Sequence, residues 1–262
     1  MSGTKHWLTP DWPAPANIHA ATTLRIGGGS CGVYASLNPA MHVGDDAQRV
    51  KQNRQIIKEL LGLPSDPVWL DQIHSNRAVQ AVTTEPLQPA DASYTAEPGV
   101  VCAVMTADCL PLLVCATDGS QVAAIHAGWR GLLAGVIGNT ITSMQIPLDP
   151  PFDSNSPLCK RRGRGDFLVW LGPAIGPDCF EVGAEVRDAF LEKSPAFITA
   201  FKQQSSGKWL ADIYQLARID LATLGIDKIY GGGFCTVTEQ ERFYSYRRDK
   251  QTGRMATLIW RE

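Results

Sequence analysis

The sequence is poor in histidine, with five in 262 residues, and its seven cysteines (Cys31, Cys102, Cys109, Cys115, Cys159, Cys179 and Cys235) contain no CxxC pair. That spacing excludes zinc ribbons and thioredoxin-type redox motifs. Most of the cysteines are expected to be reduced and buried as small apolar residues. An excess of one charge is also lacking: the formal net charge is -2, so there is no general pull toward nucleic acid or anionic lipid, and neither is expected as a partner. No apolar run approaches the ~18 residues of a membrane span. The N-terminal MSGTKHWLTPDWPAP does not have the charged-then-apolar pattern of a signal peptide, which points to a cytoplasmic protein. The glycine triplet of LRIGGGSCGVYASLN (24–38) fits neither the GxxxxGK[ST] nor the GxGxxG spacing of phosphate loops, so it reads as a turn.

What is there is the material of a sizeable core. AQRVKQNRQIIKELLGL (47–63) sets Val50, Ile56, Ile57, Leu60 and Leu61 near helical spacing, with Asp45 and Asp46 before it as cap and dipole partners and Gly62 and Pro64 as the stop. Short apolar runs follow at 68–75, 78–84, 100–109, 110–117 and 121–128, and continuous runs of that length suit strands buried on both faces. Helical spacing returns at 131–145, 182–193 and 211–226, with further strands at 167–175 and 256–260. Strands and helices mixed without regular alternation predict an α/β sandwich in a single domain. One segment, DPPFDSNSPLCKRRGRGD (149–166), reads as a flexible basic loop.

Three chemically capable side chains close apolar runs: His74, Cys109 and His126. A lone histidine there is ordinarily a satisfied core residue, but the repetition favours a site. Two imidazoles and a thiolate are a standard zinc set, and three protein ligands leave a fourth position open, as in catalytic sites. Copper accepts the same donors, and a metal-free Cys109–His126 nucleophile–base pair is the rival chemistry. Asp108, Asp71 and Gln72 lie next to the ligands in sequence, with Asp108 the candidate for proton handling. ASLNPAMHVGDD (35–46) joins Asn38, His42 and Asp45, and RFYSYRRDKQTGRMA (242–256) groups aromatics with Arg247 and Arg248. An arginine pair beside aromatics can hold an anion and stack on a base.

TADCLPLLV and AAIHAGWRGLLAGV, with QIHSN upstream, LGPAIGPDCFEVG between and RFYSYRRDKQTGRMA at the end, together resemble the YfiH-like family. Its members have been described as multicopper polyphenol oxidase or laccase-domain proteins and as purine nucleoside phosphorylases. The likeness runs from Thr23 to the C-terminus, leaving 1–22 as an N-terminal extension and 23–262 as one catalytic domain. It implies a single α/β fold and zinc on His74, Cys109 and His126. The implied activities are phosphorolysis of adenosine, inosine and methylthioadenosine to the base and ribose 1-phosphate, and deamination of adenosine. A copper-dependent phenol oxidase and a protein that edits peptidoglycan precursors or only binds a partner are the alternatives. Expected partners are a purine nucleoside and phosphate, with Asn38 and His42 as substrate contacts and Arg54 and Arg248 as phosphate holders; the oligomeric state is left open. Val33 and Ser75 stand where the family more often has proline and glycine, which touches loop geometry and not the ligand atoms.

Overall fold

The computed structural model describes residues 5–83, 86–145 and 166–262. The basic loop expected at 149–166 lies outside these residues except for Asp166. Two sheets stack face to face between helices. The larger has six strands in the order Ile229–Gly231, Phe167–Leu171, Leu110–Ala116, Val122–Ala127, Ala92–Thr95 and Ala78–Gln80. Its four central strands pair antiparallel and the two outer ones parallel to their neighbours. The smaller sheet is antiparallel, in the order Trp7–Leu8, Ile18–Thr23, Met255–Arg261 and Cys102–Thr106.

The period of two along a strand explains the layering. In Leu110–Ala116, Leu110, Leu112 and Val114 face the helices 129–134, 136–145 and 213–223, while Leu113 and Cys115 face the smaller sheet. The strand Cys102–Thr106 divides likewise, with Cys102 and Val104 turned toward the larger sheet and Ala103 toward helix Ala47–Leu61. Strands with both faces covered read as unbroken apolar runs. The order of layers is helix, sheet, sheet, helix: a mixed α/β sandwich, as expected.

Elsewhere the structure departs from the expected bounds. Within the expected N-terminal extension, Trp7–Leu8 and Ile18–Thr23 are strands of the smaller sheet, and Thr22 pairs with Thr257 with their hydroxyl oxygens 3.0 Å apart. The segment hid because IHAATT carries little hydrophobicity of its own and gains its place from the C-terminal strand. The run at 131–145 is two helices, Trp129–Ala134 and Val136–Gln145, divided where Gly135 takes φ 85°. Helix Ala47–Leu61 starts at Asp46, whose side chain accepts from the Arg49 amide at 2.9 Å, and buries Asn53 beside Val50 and Ile57. Asn53 Nδ2 donates to the carbonyls of Ser36 and Asn38, and its Oδ1 accepts from the Gly29 amide. A Cβ at Gly28 would lie 2.4 Å from the Ser36 oxygen, so only glycine fits this approach. The glycine triplet is thus a turn latched to the helix.

Candidate metal centre and cleft

His126 occupies the strand Val122–Ala127, opposite Pro111 in the register, on the face between the two sheets. Its amide donates to the Asp91 carbonyl at 2.7 Å, and its Nδ1 lies 2.8 Å from the Asp91 carboxylate. Cys109 sits in the tight turn between Cys102–Thr106 and Leu110–Ala116. His74 does not end a strand, contrary to expectation: the strand there is only Leu70–Asp71, and His74 lies beyond it in a bend with φ 58°. Asp108 also has a left-handed backbone, φ 88°. Such conformations in non-glycine residues cost about 1–3 kcal/mol and persist where surrounding contacts hold them. Asp91 supplies those contacts at His74, accepting from the amides of His74 (3.0 Å) and Ser75 (2.5 Å) and from the Ser75 hydroxyl (2.7 Å).

The donor atoms of His74, Cys109 and His126 all lie within 4.8 Å of one another, and Cys109 Sγ is 3.8 Å from His74 Nε2. Tetrahedral zinc bonds of ordinary length set neighbouring sulfur and nitrogen ligands about 3.5 Å apart. The donor set therefore fits a single ion with small adjustments. A Cβ at Gly128 would come within 3.0 Å of Cys109 Sγ and 3.1 Å of the His74 ring, so the glycine of AAIHAGWRG keeps this space clear.

The electrostatics separate Cys109 from the core cysteines Cys102 and Cys115. Burial, joined at Cys115 by the charge of Asp118, pushes the thiols of Cys102 and Cys115 up to about 12. At Cys109 burial acts in the same direction, but the charge and hydrogen bond of His126 and the bond to His74 outweigh it and bring the thiol down to about 6. His126 is the reciprocal case: burial would lower it, while the Cys109 charge and the Asp91 bond raise it to about 9. The pair favours a thiolate, the form in which cysteine binds metals. Asp91 stays ionised because the bonds from His126 and Ser75 overcome the cost of its burial. A carboxylate on the far nitrogen of a ligating histidine fixes its tautomer and aim.

The ligands border a cleft of about 450 Å³. Polar residues His42, Gln72, Thr106, Asp108 and Arg254 line it together with Trp129, Phe180 and Tyr246, and Arg130 and Arg247 also border it. Arg130 stands 4.3 Å over the Trp129 ring and Arg247 5.6 Å from that of Phe180. Asp108 accepts from the Thr236 hydroxyl and the Arg247 amide, both at 2.6 Å.

Of the residues singled out in the sequence, His74, Cys109, His126, Asp108 and His42 meet in this cleft. Three others do not line it. Asn38 is fully buried and bonds Asp45, Ala40 and the Arg254 amide. Arg54 donates to the Pro39 carbonyl at 2.8 Å and stacks 4.4 Å over Trp69. Arg248 spends its guanidinium on the carbonyls of Thr236, Val237 and Phe243 and on Asp249. Arg54 and Arg248 thus work as struts, because flexible cations can satisfy backbone carbonyls that the turns leave unpaired. Sequence reasoning missed Asp91, whose only signal was an acidic residue opening the buried run DASYT, and Arg254, which lay in the same block as Arg248.

The profile of the family described as multi-copper polyphenol oxidoreductase laccase matches residues 19–262. The chain is 49% identical to a purine nucleoside phosphorylase of Pseudomonas aeruginosa over 97% of this chain and 98% of that one. Purine nucleoside phosphorylase YfiH of Escherichia coli gives the same identity and coverage. The chain belongs to the YfiH-like family. Among solved structures, a Neisseria meningitidis member superposes with a TM-score of 0.89 at 47% identity, covering 98% of this chain and 100% of the other. YlmD of Geobacillus stearothermophilus, at 30% identity, gives 0.88 over 100% of this chain and 98% of its own. The YfiH-like fold is therefore the whole described chain, and the Pseudomonas and Escherichia relatives are called phosphorylases although the family description speaks of copper. Among the described residues one cluster alone, His74–Cys109–His126, brings three such donors together. No helix among them is long and apolar enough to cross a membrane.

Proposed function

We propose that this chain is a zinc-dependent purine nucleoside phosphorylase that takes adenosine, inosine and methylthioadenosine and also deaminates adenosine. The observation that carries this reading is the convergence of His74, Cys109 and His126 within 4.8 Å at the edge of a cleft of about 450 Å³, in a chain whose full-length relatives are named purine nucleoside phosphorylases. Mixed nitrogen and sulfur donors in a three-residue set suit zinc, with a coordination position left for catalysis. When bound, the ion supplies Lewis acidity beside the reacting group. A multicopper oxidase needs several donor clusters, so one cluster among the described residues supports phosphorolysis over phenol oxidation.

Phosphorolysis breaks the bond between C1′ of the ribose and the purine nitrogen and forms one from C1′ to a phosphate oxygen; the departing base takes up a proton. The protein's share is to hold both reactants in line and to keep water out. Trp129 and Phe180 offer flat faces to the base, stiffened by Arg130 and Arg247. Asp108 uses its two oxygens to anchor Thr236 and Arg247 and retains lone pairs for a substrate proton. Deamination exchanges the 6-amino group of adenosine for an oxygen from water and releases ammonia.

The test is a product assay on the purified protein. Adenosine with phosphate should give adenine and ribose 1-phosphate in equal amounts, and adenosine without phosphate should give inosine and ammonia. Neither product at any zinc loading overturns the reading.

A further inference from the structure

Arg254 is a cleft cation that is shielded from solvent in part and has part of its guanidinium unbonded. Its Nη1 donates to the carbonyls of Thr252 and Gly253, both at 3.0 Å. Its Nε and Nη2 make no hydrogen bond, and it forms no ion pair, among the described residues. Asp108 lies close enough to feel its charge, but the Asp108 oxygens are directed to Thr236 and Arg247. Burial lowers the guanidinium below its ordinary value, although Cys109 and Asp108 act to raise it. A partly desolvated cation without a carboxylate is costly unless an anion meets it.

Thr106 provides an independent indication. It lines the same cleft and is 2% exposed, and its hydroxyl is buried with no hydrogen-bond partner among the described residues. It stands opposite Met255 in the register, next to Arg254. Buried hydroxyls are almost always satisfied, so this one calls for a partner. His42 borders the same corner, and after burial the charge of Arg254 is the strongest influence lowering its pKa. A neutral imidazole there can donate one ring N–H. Asn38 fixes the Arg254 backbone by accepting its amide at 3.0 Å. Of the other two cleft arginines, Arg130 is exposed and stacks over Trp129, and Arg247 donates to the Glu181 carbonyl and lies near Phe180.

We infer that Arg254, Thr106 and His42 form an oxyanion subsite beside the metal corner that takes inorganic phosphate. A tetrahedral dianion matches this set, with a guanidinium for charge and two neutral donors for direction. Assigning the anion to the co-substrate rests on the phosphorylase reading; the pocket itself rests on the unpaired groups.

The experiment titrates zinc-loaded protein with inorganic phosphate alone and, in a second arm, with adenosine 5′-monophosphate, following heat or ³¹P line shape. Wild type should bind phosphate saturably. Arg254→Gln should weaken it about tenfold or more, the equivalent of about 1.4 kcal/mol, with zinc content unchanged. Arg254→Lys should recover part of the loss, and Thr106→Val, which keeps shape and charge, should weaken phosphate several-fold. Thr106→Val and Arg254→Lys decide the matter if Arg254→Gln does not fold. Phosphate affinity unmoved by the folded variants overturns the subsite. Binding of the monophosphate through Arg254 without binding of free phosphate overturns the co-substrate assignment. Arg254-dependent phosphate binding by a protein that never cleaves nucleosides would uphold the subsite and refute the phosphorylase reading. Phosphorolysis with a phosphate KM indifferent to Arg254→Gln would do the reverse.

Discussion

The two polar corners of the cleft are built differently. Around His126 the free ring nitrogen meets Asp91, Asp91 also accepts from the amides of His74 and Ser75 and the Ser75 hydroxyl, and Gly128 leaves room for the sulfur. His126 is aimed by Asp91, and the same carboxylate holds the backbone that carries His74. Around Arg254 the backbone is pinned by Asn38, yet two guanidinium nitrogens and the Thr106 hydroxyl have no partner among the described residues. The contrast matches the roles proposed for the two corners. A permanently held ion needs ligands fixed in advance, whereas a reactant that comes and goes needs binding groups kept unspent.

The sharpest way to break that contrast is to remove a ligand. Cys109→Ser should leave little bound zinc by elemental analysis and cost roughly a thousandfold in kcat/KM, since a Lewis acid contributes several kcal/mol. Phosphate affinity measured by titration should show how far the Arg254 corner stands alone. Next in size, Asp91→Asn should keep all three ligands and still weaken zinc about 10- to 100-fold in a chelator competition, because the tautomer and aim of His126 are lost. An unchanged affinity would show that Asp91 only fills space. Phe180→Ala should raise the nucleoside KM by roughly fivefold to a hundredfold, the range of one base–aromatic stack, with the phosphate KM unmoved.

The smallest effect concerns pH. His42 is held below its ordinary 6.5, first by burial and then by Arg254 and Arg54. The unfolded chain therefore binds a proton there at a higher pH than the folded one, so stability rises with pH through about 6.5 and is lost as pH falls toward the folded value. Urea unfolding should show that acid-side loss in wild type and less of it in His42→Asn.

How much of this was legible in the sequence depends on range. The core strands showed because both faces of Leu110–Ala116 and Val122–Ala127 are covered, leaving unbroken apolar runs. The helix Ala47–Leu61 showed through its Asp46 cap and Gly62 stop. The three candidate ligands were visible as polar residues at the ends of such runs, although His74 occupies a bend instead of a strand. Strand Ile18–Thr23 was hidden because its place depends on pairing with a segment more than 200 residues away. Arg54 and Arg248 misled for a related reason. An arginine among aromatics looks the same in sequence whether its guanidinium meets a ligand or three backbone carbonyls, and Arg248 does the latter while Arg254, six positions on, does not.

The most direct measurement is the yield of ribose 1-phosphate from adenosine as a function of zinc bound per chain. The account predicts a rate that climbs in proportion to zinc and stops rising at about one ion per chain, with adenine formed one for one. A metal-free protein as fast as the loaded one, or a fully loaded protein that makes no ribose 1-phosphate, would contradict it.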